Sequence, residues 1–341
     1  MIVLILHSES RDAARCAVMT HMRGIRIATL VLFCLSILLP LHLLGQKPAP
    51  ARRTSSTATQ PPVTPTASLQ SALARRYQEG EKVAYKVTSV NHSASKTSGY
   101  DAHAEGAVRK TPSGSFVEDI AWTDLLLNDE QIRLSPASRA FREPLSLAPD
   151  AKLSLPNLSR VQSGLIGPIT DLLTFYADVK IAMNQKGLLR EGDHVRVPYG
   201  TPSSWADGTE VVLGEDAIDF DITLQSIDRT KQIATLLVRH VPPAQPRIKL
   251  PARWMSAPVG SAANNWVQVE KGSDGKYVAA VGQETFDVKI KIALATGRII
   301  SATMDNPVDV LERNCNDSAL TACGTPNRYR IQRQIALDAQ P

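Results

Sequence analysis

The chain has little aromatic content, 5% of 341 residues, and only four cysteines. It lacks a nucleophile elbow, a phosphate loop, a dinucleotide fingerprint and any His/Cys spacing suited to a metal, so the enzyme classes that depend on such compact motifs are set aside. No charge of one sign dominates. Lys and Arg number 38 against 33 Asp and Glu, a net +5, of which residues 1 to 45 account for +2. Basic residues stand beside acidic ones along the sequence instead of in one run, which excludes a nucleic-acid binder. Hydrophobic residues at 43% and charged residues at 21% suit a globular chain, neither disordered throughout nor a multi-span membrane protein.

The one long apolar run is near the N-terminus. Arg23 and Arg26 precede Ile27 to Leu39, followed by Pro40 and Gly45, the three-part layout of a secretory signal over residues 22–46. Residues 1–21 carry Glu9, Arg11, Asp12 and Arg15 and fit no targeting pattern, so they read as a mis-assigned extension with Met22 as the start. Cleavage is expected after Gly45. The alternative is an uncleaved anchor, the chain's one route to membrane contact, because Ile27 to Gly45 is 19 residues long and about 17–25 span a bilayer. Residues 47–70, rich in Pro, Ser and Thr, are expected to be a disordered linker. Residues 71–341 are expected to form one β-rich domain.

Beyond the signal only Cys315 and Cys323 remain, closing a short polar loop. In an exported chain such a pair reads as a disulfide, since zinc would require four ligands.

From Glu81 onward the apolar period is two. Val83, Tyr85 and Val87 alternate with Ala84, Lys86 and Thr88; Phe286, Val288, Ile290 and Ile292 alternate with Asp287, Lys289 and Lys291. Phe116, Ile120 and Trp122 share their parity with Glu118 and Asp124, which reads as a strand exposed at one end. Turns are expected at Asp228–Lys231, Ser273–Lys276 and Thr296–Gly297. One segment breaks the period: Ile169, Leu172, Leu173, Tyr176, Val179 and Met183 follow helical spacing, with Pro168 suited to a first turn and Gly187 to a stop. Leu69–Glu79 is expected to form a short helix and Leu134–Ser163 an irregular surface crossing. The fold expected is mainly β: a curved antiparallel sheet, a half-barrel or open-barrel-like meander, covered by one amphipathic helix. This order of elements resembles the half-barrel of bacterial periplasmic carriers such as the lipoprotein-carrier family; the resemblance implies architecture and no activity.

Candidate chemistry is thin. Asp216, Asp219 and Asp221 read as a solvated strand face, not a calcium loop. His92, His103, His194 and His240 stand singly, so no catalytic or metal-binding residue is assigned and no cofactor is expected. Three residues are singled out for ligand contact: Trp205 and Trp254, both in loop-like sequence, and Arg333, whose strand parity with Ile331, Ile335 and Leu337 points a guanidinium inward. An inward Arg needs a bulge, an edge position, an internal carboxylate, or an anionic ligand group to relieve it. The expected function is an exported, non-catalytic binding or envelope-associated protein, holding an apolar or anionic amphiphilic ligand between sheet and helix or binding an envelope component. A hydrolase with a site scattered in sequence and an adhesion or assembly module acting through a sheet edge are the alternatives.

Overall fold

The computed structural model describes residues 73–340, apart from 154–155, 199–202, 206–212, 217, 243–249 and 273. They fall in the compact unit that includes Ala67–Pro341; the other unit, Leu6–Thr66, lies outside the described residues, as do the expected extension, signal and linker. Among the described residues no helix is long and apolar enough to cross a membrane.

Three long strands open the fold, β1 (Lys82–Ser93), β2 (Thr97–Lys110) and β3 (Phe116–Leu127), with short β4 (Glu130–Gln131) and β5 (Glu143–Leu145) added to β3. Helix α1 (Pro136–Ala140) separates β4 from β5, and a 3-10 turn at Ser163–Leu165 runs directly into helix α2 (Ile166–Met183). There follow β6 (His194–Pro198), β7 (Ser203–Trp205), β8 (Leu213–Asp216), β9 (Asp219–Asp228) and β10 (Ile233–Val241). The last group is β11 (Trp266–Lys271), β12 (Tyr277–Glu284), β13 (Phe286–Ala293), β14 (Ile299–Cys315) and β15 (Asn327–Gln340). Every pairing is antiparallel, and the result is one large open sheet, not closed into a barrel.

The strands do not follow one another across the sheet as a simple meander would. β15 lies between β1 and β14. β12 and β13 form nearly one strand along β14, broken at Thr285. Beyond that break the sheet divides: β13 continues into β10, β9 and β6, whereas β12 continues into β11, β8 and β7. At the division the backbone ladder is interrupted, and buried amides replace it. Asn265 Nδ2 donates to Glu284 O at 3.1 Å and its Oδ1 accepts from Glu284 N at 2.9 Å, while Asn306 Nδ2 donates to Thr285 O at 2.9 Å. Buried backbone groups left without such partners would destabilise the division point.

α2 covers the inner face of β1–β3, β15 and the branch that runs through β13 to β6, together the first arm; the branch that runs through β12 to β7 is the second arm. Ile169, Leu172, Phe175, Tyr176 and Val179 are buried with Val83, Val87, Ile120, Leu236, Ile290 and Leu337 in the main core. Pro168 sits in the first helical turn as its spacing predicts, but the helix ends at Met183 with Asn184 as its cap, ahead of Gly187. Burial extends beyond the expected stripe to Thr170, Asp171, Thr174 and Asp178.

Other expectations need correction. From Ala74 onward the predicted N-terminal helix is instead an irregular strap and turn. The stretch from Leu134 to Ser163 carries α1 and β5 and buries Leu134, Leu145 and Leu147 in the core. Glu118 is buried, not exposed, and a register shift opposite His103/Ala104 re-phases β3, so that Leu125 points inward beyond it.

Candidate functional site

The inner face carries a polar seam where α2 meets the sheet. Three buried helix residues each meet a partner on a different strand, and each partnership is fixed by the turn of helix that presents it.

Asp171, in the second turn of α2, meets Arg333 of β15. Arg333 Nη2 is 3.3 Å from both carboxylate oxygens, its Nη1 donates to Asn306 Oδ1 at 3.1 Å, and the Tyr100 hydroxyl donates to Asp171 Oδ2 at 2.5 Å. Burial raises the Asp171 pKa above its ordinary value, and Arg333 and Tyr100 oppose that rise. Three donated hydrogen bonds converge on these oxygens, the arrangement an ionised, acceptor-only carboxylate satisfies. Asp178, two turns further on, meets His240 of β10, with Nε2 2.7 Å from Oδ1 and both side chains fully enclosed. Phe220 and Phe286 flank the imidazole at ring distances of 4.6 and 4.9 Å. Burial raises the Asp178 pKa and His240 opposes it.

Tyr176 meets Glu118 of β3. The hydroxyls of Tyr176 and Tyr85 donate to Glu118 Oε2 at 2.5 and 2.8 Å, and Arg75 Nε donates to Oε1 at 3.0 Å. Burial, and then the Glu118 charge, push both phenols well above their ordinary pKa. Burial alone would lower the Arg75 pKa, but Glu118 and Glu81 hold it above its ordinary value.

Glu143 of β5 differs from these pairs. It is buried beside Trp122, and neither carboxylate oxygen has a well-formed hydrogen bond. Burial pushes its pKa up to about 8, opposed by the Trp122 indole. It is therefore a neutral acid at pH 7.

The helix-facing side is thus filled by side chains whose polar groups are mostly committed to one another. An open concavity lies on the opposite, outer face. A groove of ≈ 470 Å³ crosses β1, β2 and β3 beside the end of β15, with Ala84 and Ala121 in its floor and Lys82, Glu105, Asp119 and Arg142 around it. The register explains it: Ala121, Glu105, Ala84 and Gln340 are successive neighbours across four strands, so two alanines leave a hollow between longer side chains. Its volume lies within the ~300–1,000 Å³ of small-ligand clefts.

Parity correctly points Arg333 inward, and an internal carboxylate is what relieves it. Trp254 anchors a small second core instead of lining a cleft: it lies in the 3-10 turn Arg253–Ser256, its Nε1 donates to Leu320 O at 3.1 Å, and the Arg313 guanidinium lies 5.2 Å from its ring centre. Trp205 ends β7, and its side chain lies outside the described residues. Cys315 and Cys323 are disulfide-bonded, Cα to Cα 4.0 Å, beside Trp254. The structure does not gather Arg333, Trp205 and Trp254 at one place that it describes. Sequence reasoning missed Asp171, Asp178, His240 and Glu118, whose partners lie 33 to 162 positions away. One signal was available: Asp171 and Asp178 are seven apart, the spacing of one helix face. Among the described residues no group of three or more His, Cys, Asp or Glu could hold a metal ion.

No family model and no curated protein matches the chain. Among solved structures it is similar to MucB in complex with MucA, at 11% identity over 76% of this chain and 89% of that one, with a TM-score of 0.17. A second MucA/MucB complex, from Pseudomonas aeruginosa, gives 12% identity over 80% and 91% at 0.17, and the Vibrio cholerae outer membrane protein OmpT gives 8% over 77% and 100% at 0.11. At these scores the likenesses carry no argument about what the chain does.

Proposed function

We propose that the chain is an exported, non-catalytic binding module that engages a component of the cell envelope through the outer face of its sheet. The groove over Ala84 and Ala121 carries this reading. It is open, mixed in charge, and set on three paired strands that hold it rigid. The interior offers a ligand less: an amphiphile between sheet and helix would have to displace Leu172, Phe175 and Tyr176, and its anionic group would compete with Asp171 for Arg333. Export rests on the basic and apolar layout of residues 22–46 and on the disulfide.

The test places a photoreactive amino acid at Ala84 or Ala121 in the full chain, with Leu237, outside the groove, as control. A discrete cross-linked species from the groove positions and none from Leu237 is expected. Equal labelling at all three, or none at any, overturns the reading.

A further inference from the structure

Residues 73–77 form a strap ahead of β1 that the outer-face reading does not use. The strap belongs to no strand, and side chains make most of its attachments. Leu73 is buried in the main core. Arg75 is paired with Glu118 at 3.0 Å and Glu81 at 2.8 Å. Arg76 Nη1 donates to Leu294 O and Ala295 O at 2.7 and 2.8 Å, and the Tyr77 hydroxyl accepts from Leu147 N at 2.8 Å. The turn between β13 and β14 is shaped around it: a Cβ on Gly297, where φ is +68°, would lie 2.3 Å from Ala74 O. Gly80, at φ +79° with open space about it, links strap to strand.

Much of the socket does not depend on the strap. Glu118 Oε2 is held by Tyr85 and Tyr176, residues of β1 and α2, whether or not Arg75 is present. If the strap left, a buried carboxylate would face a vacancy that accepts a guanidinium, and an unpaired buried charge is strongly unfavourable. The socket therefore retains its demand for an Arg two residues after a Leu, and another copy of the chain carries the same segment. Exchange of an identical element is a low-cost route to a dimer.

We propose that the Leu73–Tyr77 strap is exchangeable: the socket at Glu118, Tyr85 and Tyr176 takes the strap of its own chain in the monomer and that of a second copy when the first withdraws. In the sequence the strap directly follows the Pro-rich stretch, so a pull from the N-terminal side reaches the strap before it reaches β1.

The experiment uses the full chain carrying Leu73→Ala and Arg75→Ala together, and a fluorescent peptide of residues 71–79. The variant is expected to keep a cooperative melt and the near-ultraviolet circular dichroism of the parent, and to bind the peptide at least tenfold more tightly than the parent chain does. A peptide with Arg75→Met should bind at least tenfold more weakly. Concentrated parent chain, warmed briefly and cooled, should yield a dimer that excess peptide prevents. A folded variant that ignores the peptide overturns the proposal. So does a variant that no longer folds, because the strap is then an inseparable part of the core. Cross-linking at Ala84 and Ala121 does not involve the strap, so failure of one proposal is distinguishable from failure of the other.

Discussion

β12 and β13 run end to end along the same neighbour, yet they are buried in different ways. In β13 every second residue is buried and Asp287, Lys289 and Lys291 face solvent. In β12 six successive residues from Ala279 to Glu284 are buried on both faces. What covers each face accounts for the change at Thr285. α2 lies over the inner side of the first arm and leaves its outer side to water. The second arm buries Trp266, Ala280, Val308 and Val310 in one cluster, and Val267, Ala279, Val281 and Leu311 in another beneath Met255, Leu320 and the disulfide. Close cover on both sides demands small residues. Gly282 stands opposite Trp266, and a Cβ there would lie 2.1 Å from the indole. A helix cover permits interior charges because a helix can present partners for them; the loop-covered arm is buried mostly with small and apolar side chains, and its buried carboxylate, Glu284, lies at the break, where Asn306 Nδ2 donates to it at 3.3 Å.

The comparison is broken most severely by removing one partner of an interior pair. Asp171→Leu leaves the guanidinium of Arg333, only 12% exposed, without its carboxylate and should lower stability by about 3–5 kcal/mol in urea denaturation, whereas adding Arg333→Met should recover most of the loss. A loss in the double variant equal to the sum of the two single losses would show the two residues to be uncoupled.

Glu143 sharpens the rule as its exception. Its folded pKa, about 8, stands above the ordinary 4.5, so the stability it contributes is complete below about pH 4.5 and is lost as pH rises through about 8. Glu143→Gln should abolish that decline and leave the variant more stable than the parent by a few kcal/mol at pH 8, read as a higher thermal midpoint. A parent midpoint unchanged between pH 5 and 8 would contradict the buried neutral acid.

In the second arm, Cys315→Ser with Cys323→Ser should cost about 2.5 kcal/mol in the chain-entropy picture. Amide exchange should rise in β12 and around Trp254 and stay low in β13. Uniform acceleration would mean the arms are one cooperative unit. The smallest effect belongs to the outer face, where Arg239 and Asp287 pair at 2.6 Å while half exposed; Arg239→Ala should change stability by less than about 0.5 kcal/mol.

These contrasts explain what the sequence could reveal. The alternation of β13 is visible because one face is wet, and the Ile169 to Val179 stripe is visible because its apolar residues recur at helical spacing. The parity of Arg333 with Ile335 and Leu337 gave its direction. Charge misled at Glu118, whose parity with Ile120 and Trp122 was correct, because a charged residue in a strand reads as exposed until its partner, Arg75, is known to fold back over it. His240 seemed solitary for the same reason: Asp178 is a neighbour only after α2 crosses the sheet. The outer groove was not legible at all, since it consists of short side chains aligned by register across separate strands.

The place of β15 sets an order of events. It lies between β1 and β14, so among the described residues the β1–β3 strands are hydrogen-bonded into the rest of the sheet through residues 327–340 alone. A chain that emerges N-terminus first therefore cannot complete its sheet until its last strand arrives, and the contacts that unite it span more than two hundred positions. Such long-range closure is slow to form.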